Sequence, residues 1–262
     1  MSHGLLLGVL GGMGPLASAE FVRTIYELNR FLREQEAPAC VLYSDPSFPD
    51  RSLAIGTPND TELVESLTVA VDRLLSMGAD RIVLACMTGH YYLPRLSPVV
   101  SAAVVSLVDV VYEELRANPK KSLFLCTSGT RAGRIFESHS AWPTLERFIV
   151  FPDPADQQKI HDVIYRLKVG APKERFRHVR EIKRLAAKYE VDVVVAACTE
   201  FHLLWRELER ATPPGFLIDP LLVIARRVGS LMKYSDDVVD PVAAPARLSY
   251  TAALRAPALG NK

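Results

Sequence analysis

Several features that would place a chain in a large functional class are missing from this sequence. None of its 262 residues lie in a run approaching the ~20 apolar residues of a membrane-spanning helix. The opening MSHGLLLGVLGGMGP has no cationic region ahead of its apolar run, which glycines break within a few residues, so it does not read as a signal peptide. Neither charge is in excess. Lys and Arg number 31 against 30 Asp and Glu, a net charge of +1, which leaves no electrostatic footprint for nucleic acid or an anionic membrane. Cysteine is sparse: Cys40, Cys86, Cys126 and Cys198 are too dispersed for a CxxC-type zinc site, and no metal-ligand cluster occurs at local spacing. Without a secretory signal, four cysteines point to a reducing compartment, and the expectation is a cytoplasmic protein. The glycines after the first apolar run complete no GxGxxG pattern, which sets aside a dinucleotide-binding reading.

What is present describes a globular α/β chain. Hydrophobic residues make up 49% and charged residues 23%, enough apolar surface for a sizeable core. Short apolar runs at 4–10, 39–44, 80–86, 121–127, 191–198 and 216–219 read as buried strands. Helical patterns occupy about 15–32, 60–76, 154–168, 173–189 and 220–233, and 45–59 has the composition of a loop. This alternation predicts βαβ units and parallel sheets covered on both faces. One segment recurs. LLSMGADRIVLACMTGH and LAAKYEVDVVVAACTEFH each run from a helix end through a buried strand to a Cys, a nearby Thr and a His four residues past the Cys. The chain therefore reads as an internal duplication with a period near half its length. The expected fold is two pseudo-symmetric α/β lobes, each a parallel sheet flanked by helices, with the site in the cleft between them. Residues 1–117 with 212–235 would form the first lobe and 118–211 the second, followed by an Ala/Pro-rich tail over 236–262.

In open α/β sheets ligands bind at the carboxyl ends of strands, so two facing lobes would aim Cys86 and Cys198 into one cleft. A free Cys titrates near 8.5, close enough to neutrality for its surroundings to set its state. One thiolate can remove a proton from carbon while the other thiol delivers one to the opposite face, which needs no cofactor. Cys40 and Cys126 read as small core residues. His90 and His202 either tune the thiols or are satisfied, partly buried histidines.

At these residues the sequence resembles the cofactor-independent aspartate/glutamate racemase family. The resemblance rests on GVLGGMGPLASAEF (8–21), FPDRSLAI (48–55), LACMTGH, FPDPADQQKIHDVIYRLKVG (151–170), AACTE (196–200) and LIDPLLVIA (217–225), in that order. It implies Cys86 and Cys198 as the two acid/base residues, usually in a homodimer. It further implies that Arg51 and Lys168 bind the distal carboxylate of an acidic amino acid, and that Met13, Met87, Thr88, Thr127 and Thr199 contact the substrate. Read from residue type alone, Arg51 would equally serve as a solvated loop charge, Lys168 as a cation closing a helix before Gly170, and the threonines as turn or cap residues. One position departs from the pattern. The family's first motif reads Cys-Asn-Thr where this chain has Cys86-Met87-Thr88. Losing a hydrogen bond to a charged amino acid head costs on the order of 1.5–3 kcal/mol. Two further readings therefore stay open: an isomerase or decarboxylase of a dicarboxylate lacking the amino group, and a non-catalytic binder of an acidic metabolite.

Overall fold

A computed structural model describes residues 5–29, 33–170 and 174–231. The tail expected over 236–262 lies outside the described residues. Eight strands form two all-parallel sheets. In the first, β1 (Leu6–Gly11) lies between β2 (Ala39–Ser44) and β3 (Arg81–Leu84), and β4 (Val104–Val105) flanks β3. The second holds β5 (Ser122–Phe124), β6 (Ile149–Val150), β7 (Val193–Val195) and β8 (Leu217–Ile218). The spatial orders, β2-β1-β3-β4 and β6-β5-β7-β8, are the same permutation, so the repeat read in the sequence is a repeat of topology. β1 is buried along nearly its whole length, as a central parallel strand must be. Gly12 turns the chain at its end with φ +92°, where a Cβ would stand 2.2 Å from the Asp45 carbonyl oxygen.

The connecting helices are α1 (Pro15–Leu28), α2 (Arg51–Ala54), α3 (Asn59–Ser76), α4 (Pro98–Ala103), α5 (Leu107–Ala117), α6 (Ser128–Ala132), α7 (Trp142–Leu145), α8 (Pro154–Lys168), α9 (Arg175–Lys188), α10 (Trp205–Ala211) and α11 (Pro220–Leu231). Pro15 opens α1, where its missing N–H costs nothing, and Ala17, Phe21 and Ile25 form the buried stripe. Asn29 ends the helix, its Nδ2 donating to Ile25 O at 2.7 Å and to Ala225 O at 2.8 Å, so α1 is tied to α11.

Strand alternation sorts the core. Leu7, Val9, Val83, Ala85, Met87, Phe124, Cys126, Val195 and Ala197 point into one apolar cluster that both sheets share. The opposite parity at Ile82, Leu84 and Cys86 faces α3 residues such as Leu67 and Val71. In the second sheet Val194, Ala196 and Cys198 face Ile160, Ile164 and Ile182 of α8 and α9. Both cysteines thus emerge on corresponding faces of corresponding strands.

The structure departs from the sequence reading in several places. The strands expected over 80–86 and 191–198 end at Leu84 and Val195, because the chain turns before each Cys: Cys86 N donates to Leu84 O at 2.7 Å and Ala197 N to Val195 O at 2.8 Å. No element was expected over 98–117, yet α4, β4 and α5 lie there; the valine-rich LVDVVYEELRA carries weak helix propensity and is helical because Leu107, Val111 and Leu115 are buried. α3 starts at Asn59, one residue ahead of the expected pattern, with Asp60 in its first turn. Of the segment expected to complete the first lobe, the described residues 212–231 divide. β8 pairs with β7 in the second sheet, while α11 packs on α1 and α5.

Phe21 is fully buried in the shared cluster. Phe21→Ala should lower the unfolding free energy by about 3–5 kcal/mol, read from urea denaturation, whereas truncation of the exposed Phe176 should cost little.

Candidate active site

The strand ends carrying the two cysteines meet. Thr199 Oγ1 donates to Ala85 O at 3.2 Å, joining the residue after Cys198 to the residue before Cys86. Next to this contact, Thr88, Thr127 and Thr130 form a buried triangle of hydroxyls 3.0, 3.0 and 3.1 Å apart that ties the two sheets' loops together. Thr127 is also the cap of α6, accepting from Thr130 N at 3.0 Å. Cys86 and Cys198 are both buried, 5% and 4% exposed.

Arg51 is no solvated loop charge. Asp50 caps α2, accepting from Ser52 N and Leu53 N, and this turn drives the Arg51 side chain inward to 7% exposure. Its terminal nitrogens donate to the carbonyls of Phe48 at 3.3 Å, Pro49 at 2.8 Å and Met13 at 3.0 Å, while Nε has no partner. Burial works to depress the guanidinium. The Cys86 sulfur beside it, with Asp50 and Glu200, outweighs that and holds Arg51 above its ordinary value. Lys168, in the last turn of α8, lies 4.0 Å from Asp50 Oδ2 and 4.3 Å from the centre of the Tyr165 ring. Tyr165 donates to the same Asp50 oxygen at 2.7 Å. Asp50 thus ties the turn that opens α2 to Tyr165 and Lys168 of α8. Burial would raise the Asp50 carboxyl, but Tyr165, Lys168 and Arg51 prevail and keep it below its ordinary value of 3.8.

Cys198 has a different neighbour. Its Sγ donates to Glu200 Oε2 at 2.7 Å, and Glu200 is itself 2% exposed. Burial first, then the Glu200 charge, push the Cys198 thiol well above its ordinary 9.0, with Lys168 pulling the other way. Glu200 had no assigned role in the sequence, although it was visible there as a lone charge inside the apolar run AACTEFHLL. Asp50, Tyr165 and Thr130 were also missed, since nothing in their local sequence marks them.

Neither histidine acts on a thiol. His90 Nε2 accepts the Leu107 N–H at 2.9 Å, so its proton sits on Nδ1, which donates to Cys86 O at 2.9 Å; burial holds the ring below its ordinary value. His202 bridges Asp219 Oδ2 at 2.6 Å and Thr24 Oγ1 at 3.1 Å. Both brace the loops that carry the cysteines. Cys126 lies in the shared apolar cluster, its thiol pushed up to about 12 by burial, and Cys40 is partly buried at the sheet edge. Met13 and Met87 are 2% and 1% exposed: Met13 belongs to the same apolar cluster as Cys86 and offers its carbonyl to Arg51, while Met87 points into the shared cluster. Among the described residues no three His, Cys, Asp or Glu side chains are grouped to hold a metal ion.

Two duplicated parallel sheets, joined where each ends in a cysteine, define an α/β fold of the racemase type. Residues 10–228 match the family model described as Asp/Glu/hydantoin racemase, and the chain belongs to that family. Among solved structures, it resembles the Picrophilus torridus aspartate racemase at 25% identity and a TM-score of 0.72, over 87% of this chain and 94% of that one. An aspartate racemase homologue from Pyrococcus horikoshii matches at 21% identity and 0.64, over 86% and 98%. The allantoin racemase from Klebsiella pneumoniae matches at 14% and 0.55, over 87% of each chain. The last two likenesses concern the fold.

The Asp50 junction generates a prediction with a definite sign. A carboxyl held below its ordinary value stabilises the fold above 3.8, and that contribution is lost as pH falls through the depressed folded value. Asp50→Asn should be less stable than the parent at neutral pH by on the order of 1 kcal/mol, and the gap should close in acid, as measured by denaturation across pH. A second prediction concerns Cys198. Alkylation mapped by mass spectrometry should modify it only at alkaline pH, and at lower pH in Glu200→Gln, where the opposing charge is gone.

Proposed function

We propose that the chain is a pyridoxal phosphate-independent racemase that inverts the Cα of an acidic amino acid, aspartate or glutamate, with Cys86 and Cys198 as its two bases. The observation that carries this reading is the unlike electrostatic company of two topologically equivalent cysteines: Arg51 beside Cys86, and Glu200 bonded to Cys198. A guanidinium supplies the counter-charge of a thiolate, and a carboxylate acceptor retains a thiol proton. Turnover in one direction then starts with Cys86 as thiolate and Cys198 as thiol. Cys86 takes the Cα proton, Cys198 gives its proton to the opposite face of the carbanion, and the pair ends with its protonation reversed. Reprotonation of Cys198 and loss of the Cys86 proton to solvent restore the starting state. The positive charges of Arg51 and Lys168, both of which act on Asp50, suit an acidic substrate.

Met87 motivated the alternative of a dicarboxylate without an amino group. Its side chain lies in the cluster shared by both sheets, so the change from Asn to Met supports core packing as its role and does not argue against an amino acid substrate. The threonines stand as candidate carboxylate contacts. A homodimer, as the resemblance implies, belongs to the same proposal and is read by light scattering. A reducing, cytoplasmic setting accords with four free cysteines.

Proton NMR of L- and D-aspartate and glutamate in D₂O tests the reaction. Loss of the Cα–H signal from both enantiomers of one acid is the expected result, abolished in Cys86→Ala and in Cys198→Ala; full activity in either variant overturns the two-base mechanism. Arg51→Met should raise KM by roughly 10–100-fold, the cost of a charge-assisted hydrogen bond to a carboxylate.

A further inference from the structure

We infer that Glu200 is the receptor for the substrate's α-ammonium group, so that the site selects amino acids over dicarboxylates of the same length that lack the amine. This inference rests on the proposed reading of the Cys86 and Cys198 site and names the recognition element that reading leaves open.

Glu200 is buried between the two halves of the site. Its Oε2 accepts the Cys198 thiol at 2.7 Å and lies 3.5 Å from Thr199 Oγ1. Its Oε1 is buried and has no hydrogen-bond partner. A buried carboxylate oxygen left unpaired costs the full desolvation of that atom, so its retention calls for a partner that arrives later. The loop after β1 is shaped to admit this oxygen: a Cβ on Gly14 would stand 2.3 Å from Oε1, so any side chain there would displace the carboxylate. Arg51, in turn, has its Nε buried and unpartnered. One site therefore holds an unpaired carboxylate oxygen, Glu200 Oε1, and an unpaired guanidinium N–H, Arg51 Nε, and Glu200 is among the groups that hold Arg51 above its ordinary value. A zwitterionic ligand satisfies both, its ammonium at Glu200 and a carboxylate at Arg51. A des-amino dicarboxylate satisfies only the second and places another negative charge beside Glu200. Met87 offers no acceptor for an amine and is packed away from the site.

The arrangement also serves the chemistry. While the carboxylate is unpaired it retains the Cys198 proton. An ammonium arriving at Oε1 neutralises that charge, and Cys198 then releases its proton to the carbanion more readily. The same contact keeps the amine protonated, which acidifies the Cα–H bond.

The test is calorimetric binding of two matched pairs, aspartate with succinate and glutamate with glutarate, to the full chain and to Glu200→Gln, with folding checked by circular dichroism. The parent should bind one amino acid at least about tenfold more tightly than its des-amino partner. Glu200→Gln should lose that preference, weakening the amino acid about 10–100-fold while leaving the des-amino acid unchanged or tighter. Equal weakening of both ligands, or an unchanged preference, overturns the role of Glu200 and leaves the racemase reading standing. A parent that binds neither pair overturns the acidic-substrate reading and this inference with it. Should Glu200→Gln not fold, Glu200→Asp, which keeps the charge but withdraws it by one methylene, must reduce the preference; an unchanged preference there overturns the inference equally. The pH profile of Cα–H exchange adds a readout that loss of packing alone would not move: its alkaline limb should shift to lower pH in Glu200→Gln.

Discussion

The period of two in an extended chain governs most of what this molecule does. Along β3 and the turn that follows it, Ile82, Leu84 and Cys86 enter one apolar cluster and Val83, Ala85 and Met87 the other. β7 repeats the pattern with Val194, Ala196 and Cys198 against Val195 and Ala197. The inner residues of both strands enter a single apolar cluster, so the two sheets are held together by hydrophobic burial in which neither lobe is complete alone. A shift of one residue in either strand would send its cysteine into that cluster and an alanine into the cleft.

Upon that packing the structure lays a small number of polar ties across the junction. Asp50 joins Tyr165 and Lys168, Thr199 joins Ala85, and Thr88 joins Thr127 and Thr130. These are short-range and geometrically demanding, whereas the apolar cluster is non-directional. The division of labour follows: burial supplies the association, and the ties set the orientation of α2, which carries Arg51, against α8, which carries Lys168. His90 and His202 do the same within their own loops.

Duplication supplied two equivalent strand ends, yet their surroundings have diverged. The first residue of α2 delivers a guanidinium to Cys86, and the turn after β7 delivers a carboxylate to Cys198. A two-base reaction needs this inequality, because identical environments would favour both thiols in the same protonation state. The pseudo-symmetric frame and the asymmetric charges are thus complementary parts of one site.

Much of the fold was legible in the chain because its signals are local. The apolar runs, the glycines after β1 and the recurring segment with a Cys, a nearby Thr and a His four residues past the Cys mark strands, turn and duplication within a few residues of one another. The stretch over 98–117 was not legible, since the β-branched residues of α5 become helical only through burial. For the site, the sequence determined which residues carry chemistry, and tertiary structure alone decided their company. Arg51 could have been a solvated cation until the Asp50 turn carried it inward, and Glu200 acquires meaning only when Cys198, Gly14 and the charge of Arg51 surround it. The physical reason is range: propensity and periodicity act over a few neighbouring residues, whereas burial and Coulomb interaction depend on distances in space that no local stretch of sequence encodes.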